Sequence, residues 1–120
     1  CYAMKDCQDV LSGMGVSMDE MALCGGGAKS PLLRQMLSDV YGLPCTLPLM
    51  TNSAALGVAI LAAVGCGLYP DVRTACDSIL SFKKAEQPDA QRNAQYLKVH
   101  QVYRGIYPGL KNTYPALAAL

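Results

Sequence analysis

The sequence predicts an α/β fold, because two short apolar runs typical of strands alternate with longer segments of helical character. The first apolar run ends in three consecutive glycines, Gly25 to Gly27, and a serine-proline pair typical of a helix start follows soon after. The chain has 120 residues, of which 52% are hydrophobic and 16% are charged. This length and composition suit one compact domain with a buried core, and not two domains.

The predicted elements follow an order that joins parallel strands through helices. Ser30 can cap the second helix, Pro31 suits its first position, and Gly42 ends it. The elements are a helix over 2–13, a strand over 20–24, the glycine turn, a helix over 30–42, a strand over 45–49, a helix over 54–66 with a cap at Thr51-Asn52-Ser53, a helix over 70–80, a polar link over 83–87, and a long helix from Pro88-Asp89 to about Tyr107.

Only two strands are predicted, which is a small sheet for so many helices. Pro44 and Pro48 flank the second strand, and they favour an edge position or strand ends because proline removes a donor from the ladder. We therefore expect the missing strands to lie upstream of this chain. The helical character that starts at residue 2, without an initiator methionine, points the same way, so we expect residues 1–120 to form a partial domain.

The helix over 54–66 is apolar on almost every side, which predicts that it is buried. Its apolar stretch is about half of the roughly 20 residues that a membrane-spanning helix needs, so no membrane span is predicted. The formal net charge is +1, and no run of like charge is longer than the pair Lys83-Lys84. These features favour neither a nucleic-acid partner nor an anionic membrane surface.

The final helix carries an aromatic stripe, because Tyr96, His100, Tyr103 and Tyr107 recur at helical spacing. A stripe of this kind is more typical of a packing surface than of a ligand site. His100 is the only histidine and is interpreted in the same way, as a partly buried structural residue.

Six cysteines occur without any C-x-x-C pair, so their spacing fits no zinc site. We expect no metal ligands in this chain. Reduced core or surface thiols of a cytoplasmic protein are the interpretation that the cysteines favour.

The segment from Leu23 to Ser30, Leu-Cys-Gly-Gly-Gly-Ala-Lys-Ser, is where the residue types call for a chemical explanation. Glycines between a strand and a helix let backbone amides approach a ligand closely. The P-loop pattern fails, because it needs glycine where Ala28 and Leu23 stand. The dinucleotide fingerprint fails too, because it needs a third glycine at Ser30 and an acid about 20 residues on. Tight strand–helix packing without a ligand remains an alternative for such a turn.

The residues around the turn resemble the carboxy-terminal domain of the FGGY carbohydrate kinases. The resemblance runs from about residue 20 to the end, and the tail looks closest to the xylulokinase branch. It is carried by segments in the family's order: Cys24-Gly-Gly-Gly-Ala-Lys-Ser-Pro, Arg34-Gln-Met-Leu-Ser-Asp, Tyr41-Gly-Leu-Pro, Ser53-Ala-Ala-Leu-Gly-Val-Ala-Ile-Leu-Ala, Gly67-Leu-Tyr and Pro88-Asp-Ala-Gln-Arg with the spaced tyrosines behind it.

The resemblance implies an actin-like, ribonuclease-H-type fold in two lobes, of which the second holds ATP and the first holds the sugar. It implies that the turn lies along the nucleotide, and the candidate nucleotide-binding residues are Gly25, Gly26, Gly27, Ala28, Lys29 and Ser30. Two positions depart from the pattern. Pro31 stands where the glycerol-kinase branch has an asparagine near the adenine, and Thr51-Asn52-Ser53 stands where the family commonly has an acidic residue.

The resemblance further implies that the catalytic base is an aspartate of the first lobe, in a segment absent from this chain. We therefore expect no catalytic residue here, and we expect ATP, ADP, Mg²⁺ and a sugar such as a pentulose to be ligands of a longer parent. A nonenzymatic, actin-like ATP-binding module is the alternative, and an all-helical interaction module is a weaker one. Because an apolar helix and a strand edge would lack cover, we also expect the isolated chain to self-associate.

Overall fold

A computed structural model describes residues 1–50 and 53–119. The predicted cap at Thr51-Asn52-Ser53 lies outside the described part of the chain, except for the backbone of Ser53. The elements are α1 (Tyr2–Gly13), β1 (Met21–Ala22), a 3-10 helix (Gly26–Lys29), α2 (Pro31–Tyr41), β2 (Cys45–Pro48), α3 (Ser53–Gly65), α4 (Val72–Ile79), β3 (Phe82–Glu86), α5 (Ala90–Leu110) and α6 (Tyr114–Ala118).

The three strands form one small mixed sheet in the order β1-β2-β3. β1 runs parallel to β2, with Met21 opposite Cys45, whereas β3 runs antiparallel to β2, with Lys83 opposite Leu47. The two predicted strands are parallel, as expected, but the polar link predicted over 83–87 is wrong, because residues 83–86 belong to an antiparallel third strand. The sequence does not indicate this strand, because its first three residues are exposed and lack the apolar alternation of a half-buried strand.

The prolines around β2 mark its ends and not an edge of the sheet. Pro44 precedes the strand and Pro48 is its last residue, while the strand itself lies in the centre of the three. Of the two interpretations of these prolines, strand ends are confirmed and the edge position is wrong. Lysines on β3 suit the outer strand, where charge discourages pairing with another chain.

Helix α2 begins and ends as its sequence predicts. The Ser30 hydroxyl accepts a hydrogen bond from the Leu33 amide at 3.3 Å, and Pro31 occupies the first turn. Gly42 ends the helix in the left-handed conformation at φ 69°, and its amide donates to the Ser38 carbonyl. These local signals place α2 directly behind the glycine turn.

A buried carboxylate joins α2 to α5. Asp39 is 1% exposed and accepts hydrogen bonds from Arg92 Nε at 2.6 Å, from the Asp89 amide at 2.8 Å and from Gln35 Nε2 at 2.9 Å. Burial alone would raise the pKa of Asp39, but the hydrogen bonds from Arg92, Asp89 and Gln35 together hold it below the ordinary value. The Pro-Asp-Ala-Gln-Arg segment therefore acts here as a clamp between two helices.

The aromatic stripe of α5 is a packing surface, as predicted, and the structure shows that it packs on α1. The ring of Tyr2 stacks on His100 at a centroid distance of 5.6 Å and lies 5.5 Å from Tyr103. His100 is 4% exposed, more buried than expected, and its Nε2 lies 2.9 Å from Asp6 Oδ1. Tyr107 departs from the pattern, because it is exposed and stacks on Tyr114 of α6, a helix that the sequence did not predict.

Helix α3 forms where predicted, but the expectation that it is buried is wrong. Ile60 is buried, whereas Val58 is 69% exposed and Leu61 is 61% exposed. Within the described ranges, α4 is the element that packs most extensively on α3. An apolar helix requires cover, but its sequence does not say which segment supplies it. None of the helices described is long and apolar enough to cross a membrane.

Candidate functional site

The glycine turn lies between β1 and α2 and is open to solvent. Gly25 has φ 79° and ψ −167°, a conformation open essentially to glycine alone. Gly26 to Lys29 then form a single 3-10 turn, and Ser30 returns to an extended conformation before α2 begins. The prediction that Gly26 and Gly27 are exposed between a strand and a helix is confirmed, with the 3-10 turn as an added detail.

A cavity of about 410 Å³ opens beside this turn. It lies at the carboxyl ends of the parallel strands β1 and β2, which is where open α/β sheets hold their ligands. Its volume falls within the range of small-molecule sites. The lining comes from the end of β1, the turn, the end of β2 and the start of β3: Leu23, Cys24, Gly25, Gly26, Ala28, Lys29, Leu47, Pro48, Leu49 and Lys83.

The structure brings four of the six candidate residues to this cavity, namely Gly25, Gly26, Ala28 and Lys29. The Ser30 hydroxyl is instead engaged in capping α2. Gly27 faces α2, because a Cβ built on it would lie 3.1 Å from the Leu33 side chain. A substitution at Gly27 therefore disturbs turn packing as well as any ligand contact. Gly26 is the cleaner position, since a Cβ there meets nothing within 4 Å.

The rim of the cavity is cationic. Lys29 and Lys83 line it, and no acidic residue is among the lining residues. Within residues 1–50 and 53–119, neither lysine forms an ion pair. No local sequence signal indicates Lys83, because residues 83–87 are predicted to form a polar link. Only the pairing of β3 with β2 brings it beside a turn more than fifty residues away in the chain.

An arginine of α2 supports the turn from behind. Arg34 donates from Nη1 to the Ala28 carbonyl at 2.9 Å and from Nε to Glu86 Oε1, also at 2.9 Å. Both charged side chains are largely buried, so this pair is better shielded from water than a surface ion pair. Arg34 thereby ties the turn to α2 and to the far end of β3. The sequence singled out Arg34 only as part of a motif, and no local signal indicates these two partners.

A second cluster combines Asp6, Asp9 and His100, whose potential ligand atoms lie within 4.8 Å of one another. Positive charges already occupy it: Lys5 Nζ lies 2.9 Å from Asp9 Oδ1, and Arg104 Nε lies 3.7 Å from Asp6 Oδ1. The hydrogen bond from Lys5 lowers the pKa of Asp9. The larger cavity beside this cluster, about 810 Å³, lies between α1, α5 and α6, away from the glycine turn. We interpret the cluster as packing between helices.

Comparison with known proteins identifies the family. The model of the carboxy-terminal domain of the FGGY family of carbohydrate kinases matches residues 1–66, which include the glycine turn and α3. The chain belongs to the FGGY family of carbohydrate kinases. The autoinducer-2 kinase of Photorhabdus laumondii is 37% identical over 100 residues, covering 82% of this chain and 19% of the relative. That of Klebsiella pneumoniae is 34% identical over 93 residues, covering 78% of the chain and 18% of the relative.

Solved structures of FGGY kinases share the fold. The ligand-bound xylulose kinase of Lactobacillus acidophilus superposes with a TM-score of 0.72 at 24% identity, covering 80% of this chain and 19% of that one. The gluconate kinase of the same organism gives a TM-score of 0.71 at the same identity and coverage. The chain is thus a helix-rich α/β part of an actin-like ATPase fold, as the sequence resemblance implied. It spans about a fifth of the length of these relatives.

Proposed function

We propose that this chain is the carboxy-terminal, nucleotide-binding portion of a kinase that transfers the γ-phosphoryl group of ATP to a sugar hydroxyl. The observation that carries the proposal is the cavity beside the glycine turn. It lies at the carboxyl ends of two parallel strands and has a cationic rim without an acidic residue. Membership in a family of carbohydrate kinases supplies the reaction class.

The walls of the cavity suit the two parts of a nucleotide. Leu47, Pro48 and Leu49 form an apolar side, which suits a nucleoside, whereas Lys29 lies on the cationic rim, which suits phosphate. Gly25 and Gly26 carry no side chain, so their backbone amides can come close to the ligand. These residues bind and orient the nucleotide, and its phosphates face the part of the kinase that brings the sugar.

Among the described residues, none that lines this cavity offers a carboxylate ligand for Mg²⁺. Mg²⁺ prefers carboxylate, phosphate and water oxygens, and no lining residue carries a carboxylate. We propose that the ion enters with ATP and that its protein ligands belong to a part of the kinase outside this chain. No step is assigned to residues of this chain through the metal.

We propose that the base for the sugar hydroxyl also lies outside this chain. None of its aspartates lines the cavity, and three of them have other partners: Asp39 binds Arg92, Asp71 caps α4 through the Thr74 amide, and Asp89 caps α5. Phosphoryl transfer needs several parts to position and stabilise the reacting groups together. The proposed catalytic base therefore belongs to the first lobe of a complete kinase.

Two substrates are proposed for the complete kinase. The xylulokinase-like tail favours a pentulose such as xylulose, and the names of the relatives at 34–37% identity favour autoinducer-2. The sugar contacts would lie mainly outside this chain, so phosphorylation assays with both compounds and with gluconate are the decisive comparison. We place the kinase in the cytoplasm, where ATP is available and unpaired thiols stay reduced.

The test of the nucleotide site is a titration of the chain with ATP, in which the backbone amide NMR signals report binding. A Cβ at position 26 would meet no protein atom within 4 Å, so Gly26→Val should block the nucleotide without unfolding the turn. We expect at least a ~10-fold loss of ATP affinity, because backbone approach to the ligand is prevented. Gly13→Val is the matched control, since a Cβ there also meets nothing. Equal ATP affinities in the two variants would contradict the proposal.

A further inference from the structure

We propose that Lys83 binds the phosphates of the nucleotide together with Lys29, so that affinity depends on the number of phosphates. This inference rests on the proposed nucleotide site and adds a residue from β3, which lies outside the residues matched by the family model. The two lysines reach the same cavity from different elements, Lys29 from the end of the 3-10 turn and Lys83 from the second position of β3.

The direction of β3 explains why Lys83 is at the ligand end of the sheet. Because β3 runs antiparallel to β2, its first residues lie beside the last residues of β2, with Phe82 opposite Pro48 and Lys83 opposite Leu47. The carboxyl ends of β1 and β2 and the beginning of β3 therefore meet at one edge. That edge is where the glycine turn opens the cavity.

The neighbouring lysine has a different environment. Successive side chains of a strand point to opposite faces, and Lys84 lines a separate cavity of about 270 Å³ whose lining includes Asp19 and Glu20. Lys84 thus faces acidic residues, while Lys83 faces a cavity lined by another lysine and no acid. Both lysines are exposed and both lie on the outer strand of the described sheet.

Two roles can explain a lysine in this position. Charge on an outer strand discourages edge-to-edge pairing, and that role would be shared by Lys83 and Lys84. Binding of a polyphosphate would concern Lys83 alone, because the ammonium group is a compact point charge suited to phosphate and only Lys83 faces the cavity. Lys83 and Lys84 therefore form a matched comparison. They share the strand, the exposure and the side-chain type, and they differ in the face of the sheet on which they lie.

The experiment is a titration of the chain with ATP, AMP, adenosine and inorganic tripolyphosphate, in which the backbone amide NMR signals report binding. The variants are Lys83→Gln, Lys83→Arg, Lys29→Gln and, as the control, Lys84→Gln. For an exposed charge pair we expect Lys83→Gln to weaken ATP binding about 5-fold and the double variant with Lys29→Gln about 25-fold. Lys83→Arg and Lys84→Gln should stay within about 2-fold of the unaltered chain. Adenosine affinity should be equal in all variants, and added salt should reduce the differences for ATP.

The outcomes separate this inference from the one on which it rests. If the unaltered chain binds no ATP at the turn, both the nucleotide site and the role of Lys83 are overturned. If ATP binds but Lys83→Gln behaves like Lys84→Gln, the role of Lys83 is overturned and the nucleotide site stands. If Lys83→Gln weakens the binding of adenosine as much as the binding of ATP, Lys83 does not act on the phosphates and the inference is again overturned. The amide spectra of the variants also report whether each remains folded.

Discussion

Replacing Asp39 with asparagine removes one buried charge and leaves the shape of the side chain almost unchanged. The carboxylate accepts hydrogen bonds from Arg92, from the Asp89 amide and from Gln35, whereas asparagine has one acceptor oxygen and an NH₂ group. Whichever way the asparagine amide is turned, its NH₂ group faces at least one of these three hydrogen-bond donors, and that donor loses its acceptor. The perturbation therefore tests whether the clamp between α2 and α5 contributes to stability.

The size of the effect follows from the burial of the partners. An unsatisfied buried donor costs about 1–3 kcal/mol. The Arg92 side chain is 48% exposed, so loss of its ion pair adds only about 1 kcal/mol after screening by water. We expect Asp39→Asn to lower the free energy of unfolding by about 3 kcal/mol. For a chain of this size this corresponds to a melting temperature lower by about 10 °C.

Urea unfolding followed by circular dichroism measures this change at neutral pH. The matched control is Asp77→Asn, because Asp77 is exposed on α4 and its side chain makes no hydrogen bond or ion pair within the described ranges. A difference between the two variants of less than about 0.5 kcal/mol, the usual scale of surface substitutions, would refute the argument. An Arg92→Ala variant and the double variant then give the coupling energy of the pair.

The pH dependence gives an independent check with a definite sign. The pKa of folded Asp39 lies below its ordinary value, so the ionised carboxylate is more stable in the folded state than in the unfolded state. Its contribution is complete above about pH 4 and is lost as the pH falls through the depressed value. Asp39→Asn should remove this part of the acid sensitivity. The parts due to Asp9 and Asp71, whose pKa values are also lowered, should remain.

Two further predictions concern the chain as a whole. The isolated chain should show no sugar-dependent ATP consumption, because no aspartate lines the cavity beside the glycine turn. A turnover above the buffer rate that Gly26→Val abolishes would contradict this. The isolated chain should also self-associate through α3, because Val58 and Leu61 are exposed there and can pack against a second copy. In the described sheet, the outer edge of β1 is also unpaired, which favours association further. Sedimentation at micromolar concentration should show a dimer or a larger species. The double variant Val58→Glu, Leu61→Glu should be a monomer, whereas a monomeric unaltered chain would contradict the prediction of self-association.

The sequence by itself determined the features that depend on near neighbours. The cap at Ser30, the proline at position 31 and the left-handed Gly42 define α2, because each acts on backbone groups within one helical turn. The glycine turn was equally predictable, since Gly25 adopts a conformation that other residues avoid. The spaced motifs of the resemblance also indicated the family correctly.

The tertiary structure alone decided the features that depend on distant segments. β3 became a strand by pairing with β2, although its own residues lack the alternation of a buried strand, and this pairing brought Lys83 to the cavity. The bonds of Arg34 to Glu86 and of Asp39 to Arg92 cross 52 and 53 positions of the chain. Local propensity acts over a few residues, whereas these contacts depend on how the chain returns to the sheet. For the same reason, the apolar composition of α3 predicted a helix that needs cover but not which of its sides α4 would cover.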